Sequence, residues 1–198
     1  MSVRVDGTDR LSVLAVVAAV LTLAGCATAY LQGQSELRGG RPAEARRHFE
    51  EALAIRPDRL DALAGLAVAE YELGNFDRAV PLFERVVARM PRNAEARLYL
   101  GLAHLQRNER NRAAAAMTEA RQLGLPPRTV AQIDRALPLL DTELSDAVRA
   151  FIASSLEGDL EWAAQVHDAR TAPRARLEPT WVIYSDWHAL FPHVHGVP

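Results

Sequence analysis

The chain has 198 residues, with 23 Lys plus Arg against 25 Asp plus Glu and a formal net charge of -2. That length suits one compact domain or a short repeat array, and the near-balance of charge argues against a nucleic-acid binder, which carries a basic stripe. A single cysteine excludes an intrachain disulfide and a thiol-based metal cluster.

The first element is Leu11 to Leu23, an apolar run broken only by Ser12 and Thr22. It is shorter than the roughly 20 apolar residues that a membrane-spanning helix needs, and it fits the hydrophobic region of a secretory signal. Small residues follow in Leu23-Ala24-Gly25-Cys26. This tetrapeptide resembles the lipobox of bacterial lipoproteins, in which the Cys thiol receives a diacylglycerol, the chain is cut before the Cys, and the new amino group is often acylated. The resemblance implies a signal peptide over 1–25 and a lipid anchor on Cys26. Several acyl chains make such an anchor stable where one would be marginal. Asp6 and Asp9 offset Arg4 and Arg10, a departure from the positively charged start of such signals that fits a start site slightly further on. Ala27, rather than Asp, follows the Cys. By the sorting rule of enteric bacteria this resembles a periplasm-facing lipoprotein of the outer rather than the inner membrane.

Repetition follows. Ala45, Ala79 and Ala113 are 34 residues apart, as are Phe49, Phe83 and Met117, the series Gly40, Gly74 and Asn108, and the pair Pro57 and Pro91. A 34-residue period with these residues in phase resembles the tetratricopeptide repeat (TPR), one helix-turn-helix per repeat. The implied fold is all-α, a solenoid of helical hairpins with three repeats over 26–127, divided as 26–59, 60–93 and 94–127. Each position has a physical use. Gly33, Ala67 and Gly101 let the second helix cross the first closely, and Ala45, Ala79 and Ala113 serve the same approach from the other side. Phe49, Phe83 and Met117 fill the space between hairpins. Gly40, Gly74 and Asn108 suit the left-handed residue that ends a helix. Pro42 can open the next helix, and Pro57 and Pro91 close the second helices.

Beyond the repeats, residues 128–170 read as capping helices or a degenerate fourth repeat, which would cover the apolar end of a solenoid. Val130, Ile133 and Leu137 form one stripe over 128–140. A helix over about 142–156, with Asp141 or Thr142 as cap, carries Leu144, Val148, Phe151 and Ile152. Gly158 is expected to break it and Asp159 to cap another helix to about Arg170. The tail, 171–198, holds Pro173, Pro179, Pro192 and Pro198, which disfavour a long helix. It also holds Trp181, Tyr184, Trp187 and Phe191, residues in which solvated tails are poor. Docking on its own solenoid, contact with a partner or a second copy, and disorder all remain open for it.

Chemistry is sparse. His193 and His195 can share one side of an extended strand, but Glu178 and Asp186 are the only acids near them, fewer ligands than a metal site with its supporting shell requires. His48 and His104 read as packing or surface residues of the repeat helices. Gly-rich phosphate loops, nucleophile elbows and two-histidine helix motifs are missing. The expectation is a non-enzymatic protein without cofactor, small-molecule substrate or nucleic-acid partner.

In TPR proteins the first helices line a groove that takes peptides. Carried over by phase, the groove residues are Gln34, Leu37 and Arg38, then Val68, Tyr71 and Glu72, then Leu102, Leu105 and Gln106. This largely apolar set does not resemble the Lys- and Asn-rich clamp of chaperone-cofactor TPRs and better suits an amphipathic helix or an extended segment. Since no Gly/Ser/Pro-rich spacer separates Cys26 from Gly33, the first helix is expected near the lipid headgroups. The architecture resembles short TPR lipoproteins that assist assembly of pili and secretion systems, which implies protein partners in the cell envelope. An envelope enzyme or metal-binding accessory acting through the C-terminal region is the alternative.

Overall fold

The computed structural model describes residues 28–171, with side chains described as far as Gly158 and at Leu160. The signal segment, Cys26 and the tail with His188, His193 and His195 lie outside the described residues. Residues up to Leu160 pack as one unit, and the packing below belongs to it.

Six helices form three successive hairpins: α1 (28–38) with α2 (Pro42–Ile55), α3 (Leu60–Glu72) with α4 (Phe76–Arg89), and α5 (Ala94–Gln106) with α6 (Arg110–Arg121). The turn inside each hairpin is the same object three times. Gly40, Gly74 and Asn108 take positive φ of 66, 74 and 60°. Their N–H groups bond to the carbonyls of Leu37, Tyr71 and Leu105, and the next N–H groups bond back to Glu36, Glu70 and His104, each at 2.9 Å. This pair of bonds is the Schellman cap, which satisfies the carbonyls left open at a helix end. The second helices then start at once, Pro42 supplying a preset φ at the first turn of α2. They stop before Pro57 and Pro91, whose rings disfavour helical backbone in the preceding residue. Asn93 opens α5 by accepting the Ala96 N–H at 2.9 Å.

The two helix types bury different amounts of surface. The second helices bury one stripe each, Ala45-Phe49-Ala52, Ala79-Phe83-Val86 and Ala113-Met117-Ala120, as the spacing of an amphipathic helix requires. α3 and α5 are covered nearly all round; α5 alone buries Ala96, Leu98, Tyr99 and the whole run Gly101–Leu105. A helix buried on every side has neighbours on every side.

Successive hairpins meet through one ring per junction. Phe49 lies against Gly33 of α1 and Gly65 of α3, where an added Cβ would stand 2.8 Å and 2.4 Å from the ring. At the next junction the position of Gly65 is held by Tyr99, stacked on Phe83 with centroids 5.7 Å apart and planes 5° apart. Met117 then reaches Gly101 and shares a core with Ile133.

α7 (Pro127–Ala136) follows, then a 3-10 turn (Leu137–Asp141) and a long α8 (Asp146–Thr171). Here three expectations are corrected. Gly158 does not break the chain: α8 runs through it, and nothing lies within 4 Å of where its Cβ would be. Glycine inside a helix costs about 1 kcal/mol relative to Ala, an amount that helical neighbours on both sides offset. The cap is Ser145, whose Oγ accepts the Val148 N–H, rather than Asp141 or Thr142. The buried stripe is Ile152, Ala153 and Leu156, with Val148 and Phe151 exposed. A helix that continues to Leu160 places its inward face by the whole 149–160 span and not by its first two turns.

Candidate peptide-binding face

The first helices place the three triplets in register, and their exposure falls along the chain. In α1, Gln34 and Leu37 are half-buried and Arg38 is exposed. In α3, Val68 is half-buried, Glu72 is exposed and Tyr71 is 5% exposed. In α5, Gln106 is half-buried, while Leu102 and Leu105 have no exposed surface. Leu102 and Leu105 are therefore buried in this structure, with neighbouring side chains of the same core filling the space in front of them.

Part of that covering comes from α8. Its Ile152, Ala153 and Leu156 are buried in the same core as Tyr71, Leu102 and Leu105, with Leu144 and Leu160 at its margin. The Tyr71 hydroxyl donates to Glu157 Oε1 at 2.5 Å. Burial first, then the Glu157 carboxylate, push the Tyr71 phenol far above its ordinary range. Its ring is fixed by edge contacts to Phe76 and Tyr99, each with centroids 5.4 Å apart. At the other end of the docked segment Arg149 donates to Asn108 Oδ1 at 3.3 Å and to the Leu144 carbonyl at 2.8 Å, and pairs with Asp146. α8 thus crosses from the turn after α5 to the end of α3, over the face that the repeat phase marks as a groove.

Sequence reasoning missed Arg149, Ile152, Ala153, Leu156 and Glu157 as contributors to this face. The signal was present as a spacing of 149, 152, 153, 156 and 160, but it becomes visible only once the helix is known to pass Gly158.

A second 34-residue series braces the hairpins from the turn side. Glu36 pairs with Arg41, Glu70 with Asn75 at 2.7 Å, and His104 Nδ1 with Glu109 at 2.7 Å. Glu70 is fully buried and also faces Arg78 at 2.9 Å, which reaches Glu50 of the preceding hairpin at 3.6 Å. Desolvation opposes it, yet the His104 hydrogen bond and the Arg107 and Arg112 charges hold the Glu109 carboxyl below the usual carboxylate range. His48 lies half-buried, 3.8 Å from Glu51. Among the described residues no three His, Cys, Asp or Glu side chains converge as a metal site, and no helix is long and apolar enough to cross a membrane. Shallow depressions of about 450 and 240 Å³ lie at the turns 108–112 and 74–78, the second also bordered by Arg107.

A tetratricopeptide repeat family model matches residues 30–87 and 66–124, which spans the three hairpins. Residues 30–124 carry tetratricopeptide repeats. Solved structures agree at the level of fold. MamA 41-end from Desulfovibrio magneticus RS-1 is 20% identical with a TM-score of 0.54, covering 74% of this chain and 78% of that one. A crystal structure of MamA is 15% identical with a TM-score of 0.53, covering 82% of this chain and 99% of that one. A Thermobaculum terrenum O-GlcNAc transferase mutant is 23% identical with a TM-score of 0.55, covering 73% of this chain but 26% of that one. Among curated proteins, Protein CTR9 homolog of Arabidopsis thaliana is 34% identical over 79 residues, 39% of this chain and 7% of that protein's length. The repeats of this chain thus span a small part of that relative.

Proposed function

We propose that the chain is a non-catalytic protein-protein interaction scaffold, held to the cell-envelope membrane by acyl chains on Cys26 and assisting assembly of an envelope complex such as a pilus or secretion system. The repeats carry the reading: a phase-locked array of first helices is a surface suited to an elongated guest, and its first-repeat part is the more exposed here. The position of the single cysteine, directly after the apolar run of Leu11 to Leu23, supports the anchor. Ala27 after it favours the outer membrane with the repeats facing the periplasm. The described part of α1 begins at residue 28, two residues after Cys26 in the sequence, which supports a scaffold held close to the lipid surface.

Two measurements test this. Metabolic labelling with a radioactive fatty acid should mark the wild-type protein and not Cys26→Ser, and the variant should leave the membrane fraction. Crosslinking in intact envelopes should recover a defined envelope protein with the wild type. Equal labelling and fractionation of the two proteins would remove the anchor, and recovery of no partner above a non-repeat lipoprotein control would remove the scaffold role.

A further inference from the structure

The face over the second and third repeats already holds a ligand-like helix, the chain's own α8. Three features separate it from an ordinary structural helix. Its inward face is an amphipathic stripe, with Ile152, Ala153 and Leu156 buried, Leu160 packed at its margin, and beside them Glu157, whose carboxylate takes the Tyr71 hydroxyl. This is how an amphipathic guest is read: apolar anchors on one helix face give affinity and one charged group sets register. The connection to the preceding turn is also loose. Residues 141–143 and 145–148 are exposed and only Leu144 is half-buried, so α8 can depart without unravelling α7. Finally, the backbone hydrogen bonds that close the three hairpin turns are made without any residue of α8.

Resting on the reading of this surface as a protein-binding face, we propose that α8 is a displaceable internal occupant of the groove, and that the partner it gives way to is an amphipathic helix of the same chemistry. That helix carries large or small apolar residues at positions i, i+1 and i+4 and a carboxylate at i+5 for Tyr71. The open first-helix surface of the first repeat, with Gln34, Leu37 and Arg38, is where such a helix makes first contact. Displacement of α8 then extends the contact to Val68, Tyr71 and Gln106. The apparent affinity of the partner is reduced by the fraction of time α8 is docked.

The probe is a fluorescent synthetic peptide of residues 144–160, titrated against the full chain in detergent and against the same chain carrying Ile152→Asp and Leu156→Asp. The double variant, with its own helix released, is expected to bind the peptide at least 10-fold more tightly than the wild type, and a Glu157→Ala peptide is expected to lose most of that gain. Equal affinity for the two proteins, or no binding to a double variant that still melts cooperatively, overturns the proposal. Hydrogen exchange on the unaltered protein provides the second arm. Amides of 147–158 should exchange at least 10-fold faster than those of α3 and α5, and faster still in excess peptide. Exchange of all three helices at one common rate also overturns it. Neither arm uses an envelope protein, so their outcome is independent of whether crosslinking recovers one.

Discussion

Leu37 and Leu105 hold the same position in the first and third repeats, yet Leu37 is half-buried and Leu105 has no exposed surface. Gln34 and Leu102 differ in the same sense. The local backbone is not the cause, since both helices end in the same cap with the same two backbone bonds. What differs is what lies in front. α1 is the first described helix and its Leu31 is 59% exposed, whereas α5 is enclosed by α3, α6 and the α8 segment. One repeat template therefore yields an open surface at one end and a core at the other, depending on a helix some fifty residues further along the chain.

The sharpest way to break this comparison is to truncate the paired leucines. Leu105→Ala removes a fully buried side chain and should destabilise by about 2–5 kcal/mol, while Leu37→Ala should cost about 1 kcal/mol. Denaturant unfolding of both variants at one temperature measures the difference. Equal losses would mean that the two ends are equally covered in solution.

The junctions give the next largest effect. Phe49 fits because position 65 lacks a side chain, while the matching Phe83 stacks on Tyr99. Gly65→Ala places a Cβ 2.4 Å from the Phe49 ring and should cost about 1–3 kcal/mol through overpacking. Combining it with Phe49→Leu should recover part of that loss, as coupled neighbours do. A strictly additive double variant would show that the ring does not occupy this gap.

The turns come third. Gly74→Ala puts a Cβ on a residue with φ of +74° and should cost about 1–2 kcal/mol. Asn108→Gly at the equivalent turn should be close to neutral, because asparagine already tolerates the left-handed region. It also deletes the Oδ1 that Arg149 uses, so hydrogen exchange at the start of α8 should rise while the midpoint of global unfolding stays put.

These cases show which parts of the molecule were legible in the sequence. The hairpins were, because each rests on local rules: a glycine or asparagine where φ must be positive, a proline where a helix must stop, and a small residue where two helices cross. The polar braces Glu36-Arg41, Glu70-Asn75 and His104-Glu109 were equally periodic but escaped notice, since their residue types change from repeat to repeat while their geometry does not. The candidate face was only half legible. Repeat phase placed Tyr71, Leu102, Leu105 and Gln106 in register along the first helices, but phase carries no information about coverage, and three of these four are buried. The covering helix is not legible at Gly158 because the local propensity cost of glycine, about 1 kcal/mol, is set against the core contacts of Leu156 and Leu160 on either side, which no local rule contains.

The smallest expected effect bears most directly on the covered end. Tyr71→Phe keeps the ring and its contacts to Phe76 and Tyr99 but removes the bond to Glu157, a loss of about 1 kcal/mol for a hydrogen bond at a partly wet site. Its pH dependence gives the sharper readout. The folded phenol is raised far above its ordinary 10.0, so the neutral form is the one that fits between the repeats and α8. The stabilisation is complete below pH 10. As pH rises past 10 the unfolded phenol ionises while the buried one cannot, and wild-type stability should fall by about 1.4 kcal/mol per unit from this group. Tyr71→Phe lacks that group, so its stability should fall less steeply, and the two curves should converge and then cross on the alkaline side. Parallel curves between pH 9 and 11 would mean that the phenol is exposed to water and that α8 does not cover it.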